Sequence, residues 1–165
     1  MANAGVSYPG GSCVILASAL LSPTSRGTLR LRSADPNDAP VLDPNILGNE
    51  LDRQLILSCG RLTMAMMQGP IGQKIGAQEY GMEEAIRDDT SDDAMIARLL
   101  KTARSVNHGS GTCSMGSVVD TECRVKGVEG LRVVDASVFP FPMGAHYQAI
   151  VYAVAEQVSL GFRPF

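Results

Sequence analysis

The chain has 165 residues, 45% of them hydrophobic and 19% charged, the balance of a polypeptide able to bury a core rather than one that stays disordered. Its formal net charge of −3, with both signs interspersed, leaves neither a basic stripe nor an acidic tail, so nucleic acid drops out as a partner. No stretch approaches the roughly 18 apolar residues a membrane helix needs, and no membrane partner is expected.

In chain order, residues 1–12 are small and glycine-rich, with no start signal beyond Met1, so the chain is expected to begin inside a fold. Residues 13–21 (CVILASALL) imitate the apolar centre of a signal peptide, but no Lys or Arg precedes them before Arg26. A strand over 14–21 is the better reading. A second strand is predicted over 28–31, where Leu29 and Leu31 alternate with Arg30 and Arg32, and the turn-rich stretch 22–27 (SPTSRG) joins the two. The expectation is an antiparallel pair with one wet face. Residues 34–48 carry three prolines among Asp and Asn, which disfavours helix and central strand and marks an extended connection.

Over residues 50–68, Leu51, Leu55, Leu62 and Met66 recur at helical spacing, the methionines filling core, until Gly69 and Pro70 stop the helix. Another helix is predicted over 91–105. Thr90 or Ser91 would cap it, Asp92 and Asp93 suit its positive end, and Lys101 and Arg104 its negative end. Its apolar stripe is Met95, Ile96, Leu99, Leu100 and Ala103. Residues 105–116 (SVNHGSGTCSMG) must then be loop, the kind of segment in which function concentrates. A short strand at 131–134 leads to Asp135, Ala136 and Ser137, and the prolines of 139–142 force an extended run. The last element is a helix from about His146 to Leu160, apolar almost all round and therefore expected to be buried, with Gly161 and Pro164 ending it.

Four cysteines, Cys13, Cys59, Cys113 and Cys123, are too few and too scattered for a disulfide framework. Reduced, mostly buried thiols are the expectation; an even count leaves a bridge, and with it the redox compartment, open. A zinc site built from His108, Cys113, Cys123 and His146 has no CxxC or HxxxH pair to anchor it, so no metal is expected. The string 109–113 (GSGTC) lacks the central Ser of a hydrolase elbow and the third glycine of a dinucleotide fingerprint. That leaves the two histidines, each at a junction where loop turns into an element. Singly, such a histidine is ordinarily a hydrogen-bonded structural group.

Their surroundings say more. The string 107–116 (NHGSGTCSMG), then Val119 and Asp120, then 127–137 (GVEGLRVVDAS), Pro140, 144–148 (GAHYQ), Tyr152 and Glu156 follow one another in an order and spacing that resemble the C-terminal signature of the glucose-methanol-choline oxidoreductases. Residues 23–28 (PTSRGT) with Asp35 and Pro36 are similar to an earlier strand region of the same family, so the resemblance covers nearly the whole chain.

The resemblance implies an α+β fold: the C-terminal part of a glucose-methanol-choline fold, in which residues 8–104 are a segment of the antiparallel-sheet substrate domain. Residues 105–165 would return into the Rossmann-like FAD domain as its closing strand and helix. It implies FAD as cofactor and a small alcohol as substrate. His108 would be the base and His146 its companion on the substrate oxygen. The backbone N–H groups of Tyr147 and Gln148 would face the flavin ring, while Asp135 and Ala136 would lie near the ribityl and pyrophosphate region. From the residues alone, Asp135 is equally a turn cap, and Cys113 and Met115 are packing residues. The glycine fingerprint for the FAD pyrophosphate is absent from this sequence, which implies a further, N-terminal FAD-binding half. Two other readings stay open: a non-catalytic remnant or partner-dependent fragment, and a non-redox cyclase on the same scaffold.

Overall fold

A computed structural model of the chain describes residues 15–79, 90–144 and 146–161; the expectations for residues 1–12, Cys13 and Pro164 lie outside them. The described residues form an α+β arrangement of one two-stranded antiparallel sheet, four α-helices and a 3-10 turn. They fall into two compact units, one made of the described residues of 15–20 and 50–102, the other of those of 21–49 and 103–161.

The first unit is helical. Helix α1 (Glu50–Gln68) ends where Gly69 and Pro70 break the pattern, and Pro70 then serves as the first residue of a short helix α2 (Pro70–Lys74), where a missing N–H costs nothing. The reversal between them requires glycine at 72, because a Cβ there would lie 1.6 Å from the Met67 carbonyl oxygen. Helix α3 (Asp92–Thr102) begins as anticipated: Ser91 is its cap, the Ala94 N–H donating to Ser91 Oγ at 3.2 Å, with Asp92 and Asp93 in the first turn. Met95 of α3 is fully buried, and Leu99 approaches α1 at Gly60. Arg61 fastens the two helices further, pairing with the Asp92 carboxylate at 2.6 Å.

Two expectations fail in this unit. Residues 15–20 form no strand; Ser18 instead lies along α1, its hydroxyl donating to the Cys59 carbonyl at 3.3 Å and meeting the Thr63 hydroxyl at 2.6 Å. The apolar stripe of α1 also faces outward, with Leu51 at 56% and Leu62 at 64% exposure and Leu55 and Met66 also exposed. The buried side is Asp52, Ile56 and Leu57. Within the unit, α3 and Ser18 meet α1 along the Gly60, Arg61 and Thr63 side, about half a turn of helix away from the leucines.

In the second unit, strand β1 (Thr28–Arg30) pairs with β2 (Val41–Asp43), the register placing Thr28 opposite Asp43. The partner of β1 therefore lies in the stretch read as an extended connection, not at 14–21. Pro40 precedes β2 without interrupting it, and all six strand residues are exposed, so neither face is dry. The predicted strand at 131–134 reduces to one antiparallel bridge, Arg124 opposite Arg132, because turns at Gly127 and Gly130, both with positive φ, close the hairpin almost at once.

The core of this unit is Val119, Val138, Phe139 and Tyr147, with Met115, Val125, Val133, Met143, Ile150, Val151 and Val154 packed around it. Helix α4 (Gln148–Leu160) supplies the last three. It begins two residues later than expected, and it is not buried: none of its residues is fully covered, and Tyr152 is 66% exposed. Cys59, Cys113 and Cys123 are free thiols, only Cys123 fully buried.

Candidate active site

His108 sits in a loop whose two ends are tied down. On the near side, Asn107 adopts the left-handed conformation (φ 63°) that Asn tolerates better than most residues, and its N–H donates to Ser105 Oγ at 3.0 Å. On the far side, the Cys113 N–H donates to the Ser137 carbonyl at 2.9 Å and the Met115 N–H to the Val138 carbonyl at 2.8 Å. Those two carbonyls belong to the 3-10 turn Ala136–Val138, which follows the short bridge at Arg132. Gly111 lies between the ties, φ 86°, facing the Phe139 carbonyl.

Asp135 caps that turn. Its Oδ1 accepts from the Ser137 N–H at 2.8 Å and from the Ser137 hydroxyl at 2.5 Å. The carboxylate thus holds the turn whose carbonyls hold the His108 loop.

The two histidines meet. His146 Nδ1 and His108 Nε2 are 3.2 Å apart and the rings stand edge to face, centroids 4.9 Å apart and planes at 89°. One nitrogen of such a contact donates and the other accepts. His108 is half-buried and His146 exposed. Tyr147, only 7% exposed, lies with its ring nearly parallel to His108 (4.9 Å, 22°) and edge-on to Phe139 (5.8 Å, 82°). Its hydroxyl accepts from the Met143 N–H and meets the Ser110 hydroxyl, each at 3.3 Å.

Of the residues singled out from sequence, His108, His146 and Tyr147 come into direct contact, and Gln148, exposed, is the first residue of α4. Asp135 and Ala136 belong to the supporting turn. The sequence reading missed the Tyr147 ring and Ser110. The available signal was position: an aromatic residue directly after one histidine and a hydroxyl two residues after the other. Cys113 is half-buried, while Met115 packs against the core, as packing residues should. Among the described residues, no three His, Cys, Asp or Glu side chains are placed to share a metal ion.

At the start of α4, the N-cap Tyr147 provides no side-chain hydrogen bond and the first turn holds no acidic residue. The opening N–H groups of a helix have no partner within it, and the dipole there favours negative charge. This end therefore suits an anionic group in front of it. The Asp135 carboxylate suits a ligand hydroxyl better than a phosphate, which it would repel.

Residues 23–155 match the family described as GMC oxidoreductase. A GMC-type oxidoreductase of Aspergillus aculeatus is 42% identical over 142 residues, covering 85% of this chain and 27% of its own length. The versicolorin B synthase of Aspergillus parasiticus is 31% identical over 158 residues, covering 92% of the chain and 24% of that protein. Among solved structures, a fungal aryl-alcohol oxidase superposes with TM-score 0.70 at 36% identity, over 87% of this chain and 25% of its own. An FAD-dependent oxidoreductase from Chaetomium thermophilum superposes with TM-score 0.76 at 30% identity, over 86% and 25%. The chain spans about a quarter of the length of these relatives.

Proposed function

The chain belongs to the GMC oxidoreductase family, and from that membership we propose that it is the C-terminal portion of an FAD-dependent enzyme that oxidises the CH–OH group of a small alcohol. The carrying observation is the 3.2 Å contact between His108 Nε2 and His146 Nδ1.

An alcohol hydroxyl both donates and accepts, so it can take the place of the histidine–histidine bond and satisfy both nitrogens at once. Its proton goes to the lone pair of His108 Nε2, while His146 Nδ1–H donates to the same oxygen. Removing that proton matters because an alkoxide releases hydride far more readily than a neutral alcohol. As the proton moves, His146 stabilises the developing negative oxygen. FAD, when bound, supplies the two-electron acceptor. The Tyr147 and Gln148 N–H groups at the start of α4 would hold the anionic edge of the flavin, and Asp135 with Ala136 would lie near its ribityl and pyrophosphate portion. The pyrophosphate cradle itself would come from an N-terminal FAD-binding half.

The test is anaerobic reduction of flavin by alcohol in a full-length protein carrying this segment. His108→Ala should cut the reduction rate by roughly 10²–10⁴-fold, the usual worth of a positioned base, and leave FAD bound. An undiminished rate refutes the assignment. A second reading, acid–base ring closure without net redox chemistry by the same pair, draws support from the 31% identity to a protein named as a synthase. In that case flavin stays oxidised when substrate is added.

A further inference from the structure

We propose that Tyr147 is the positioning residue for His108: its ring face fixes the orientation of the imidazole, and its hydroxyl fastens the middle of the loop that carries it. This rests on His108 being the base.

The need for such a residue follows from how the loop is held. Its anchors are the Ser105 bond at Asn107 and the two backbone bonds at Cys113 and Met115. Among the described residues, no backbone N–H from 108 to 112 finds a backbone acceptor, so His108 and Ser110 occupy the untied middle. Tyr147 touches both, the first by its ring and the second by its hydroxyl.

Tyr147 is itself well held. Its ring is buried in the core against the edge of Phe139, and the Met143 N–H donates to its oxygen. With that lone pair occupied, the phenolic proton is available to Ser110 Oγ. The consequence for chemistry is angular. A base works only when its lone pair lies on the line of the departing proton, and a ring turning about its Cβ–Cγ bond swings Nε2 off that line. A nearly parallel aromatic face at 4.9 Å favours one imidazole orientation, because turning the ring gives up the stacked contact. Mere core filling, by contrast, would be served equally by leucine.

The test uses the full-length, FAD-loaded protein and the rate of flavin reduction by alcohol. Tyr147→Phe keeps the stack and removes the hydroxyl, and is expected to lower the rate about 3–10-fold at unchanged KM. Ser110→Ala should also lower it, and the double variant should be no slower than Tyr147→Phe, which already removes the Ser110 contact along with the Met143 one. Tyr147→Leu should lower the rate further, up to about 10²-fold. Carbethoxylation of His108, followed by mass spectrometry, gives a readout apart from turnover: faster in Tyr147→Leu, unchanged in Tyr147→Phe. A Tyr147→Leu protein with native reduction and carbethoxylation rates overturns the proposal. Should that variant not fold, the Phe and Ala pair decides alone, and additive losses or none overturn it. A native rate in His108→Ala overturns the base assignment instead, so the two failures are distinguishable.

Discussion

Replacing Asp135 separates its role as a turn cap from any role toward a cofactor. Asp135→Ala removes two hydrogen bonds from one carboxylate oxygen, those of the Ser137 N–H and hydroxyl. Because Asp135 is exposed, the loss falls in the range of an ordinary cap, about 1–2 kcal/mol. That penalty falls on the turn whose Ser137 and Val138 carbonyls receive the Cys113 and Met115 amides. A local destabilisation of this size raises the open population about 5–30-fold, and amide exchange at Cys113 and Met115 should accelerate by that factor. Asn caps about as well as Asp, so Asp135→Asn should exchange nearly like the native protein. Hydrogen exchange read by mass spectrometry on peptides spanning 108–118, in the FAD-loaded protein, makes the measurement. Native protection in Asp135→Ala, together with weakened FAD binding in Asp135→Asn, would refute the cap and assign the carboxylate to the cofactor.

Two glycines of the helical unit should respond to alanine with opposite signs, each read as a shift in denaturant midpoint. Gly72→Ala must push α2 away from the Met67 carbonyl and should cost about 1–3 kcal/mol, whereas Gly60→Ala meets only Leu99 at 3.9 Å and should gain about 0.5–1 kcal/mol in helix propensity. Asp120 contributes to the acid sensitivity of the second unit: hydrogen bonds from the Arg124 backbone and guanidinium hold its carboxyl below the ordinary 3.8. Its contribution is complete above that ordinary value and disappears as pH falls through the lowered one. Asp120→Asn should therefore weaken the protein at neutral pH and flatten the pH dependence of its denaturant midpoint below about pH 4.

Much of the local structure was legible along the chain. Helix α1 ends at Gln68 because Gly69 and Pro70 follow it, and α3 starts after Ser91 because a serine hydroxyl can take the Ala94 N–H. These are contacts among neighbours, and neighbours are what a sequence displays. The family resemblance was also legible, since it rests on ordered strings around His108 and His146 rather than on shape. Tertiary structure alone decided which face of each element is covered. The spacing of Leu51, Leu55, Leu62 and Met66 announces a helix with an apolar stripe, but α3 and Ser18, the partners of α1 described in its unit, meet it on the opposite side. Likewise β1 pairs with Val41–Asp43 and not with 14–21, because pairing depends on which segment returns antiparallel at the right register. Only three-dimensional packing could bring His108 and His146 within 3.2 Å across 38 residues of chain and lay Tyr147 against them. Sequence named the histidines; the fold decided what holds them.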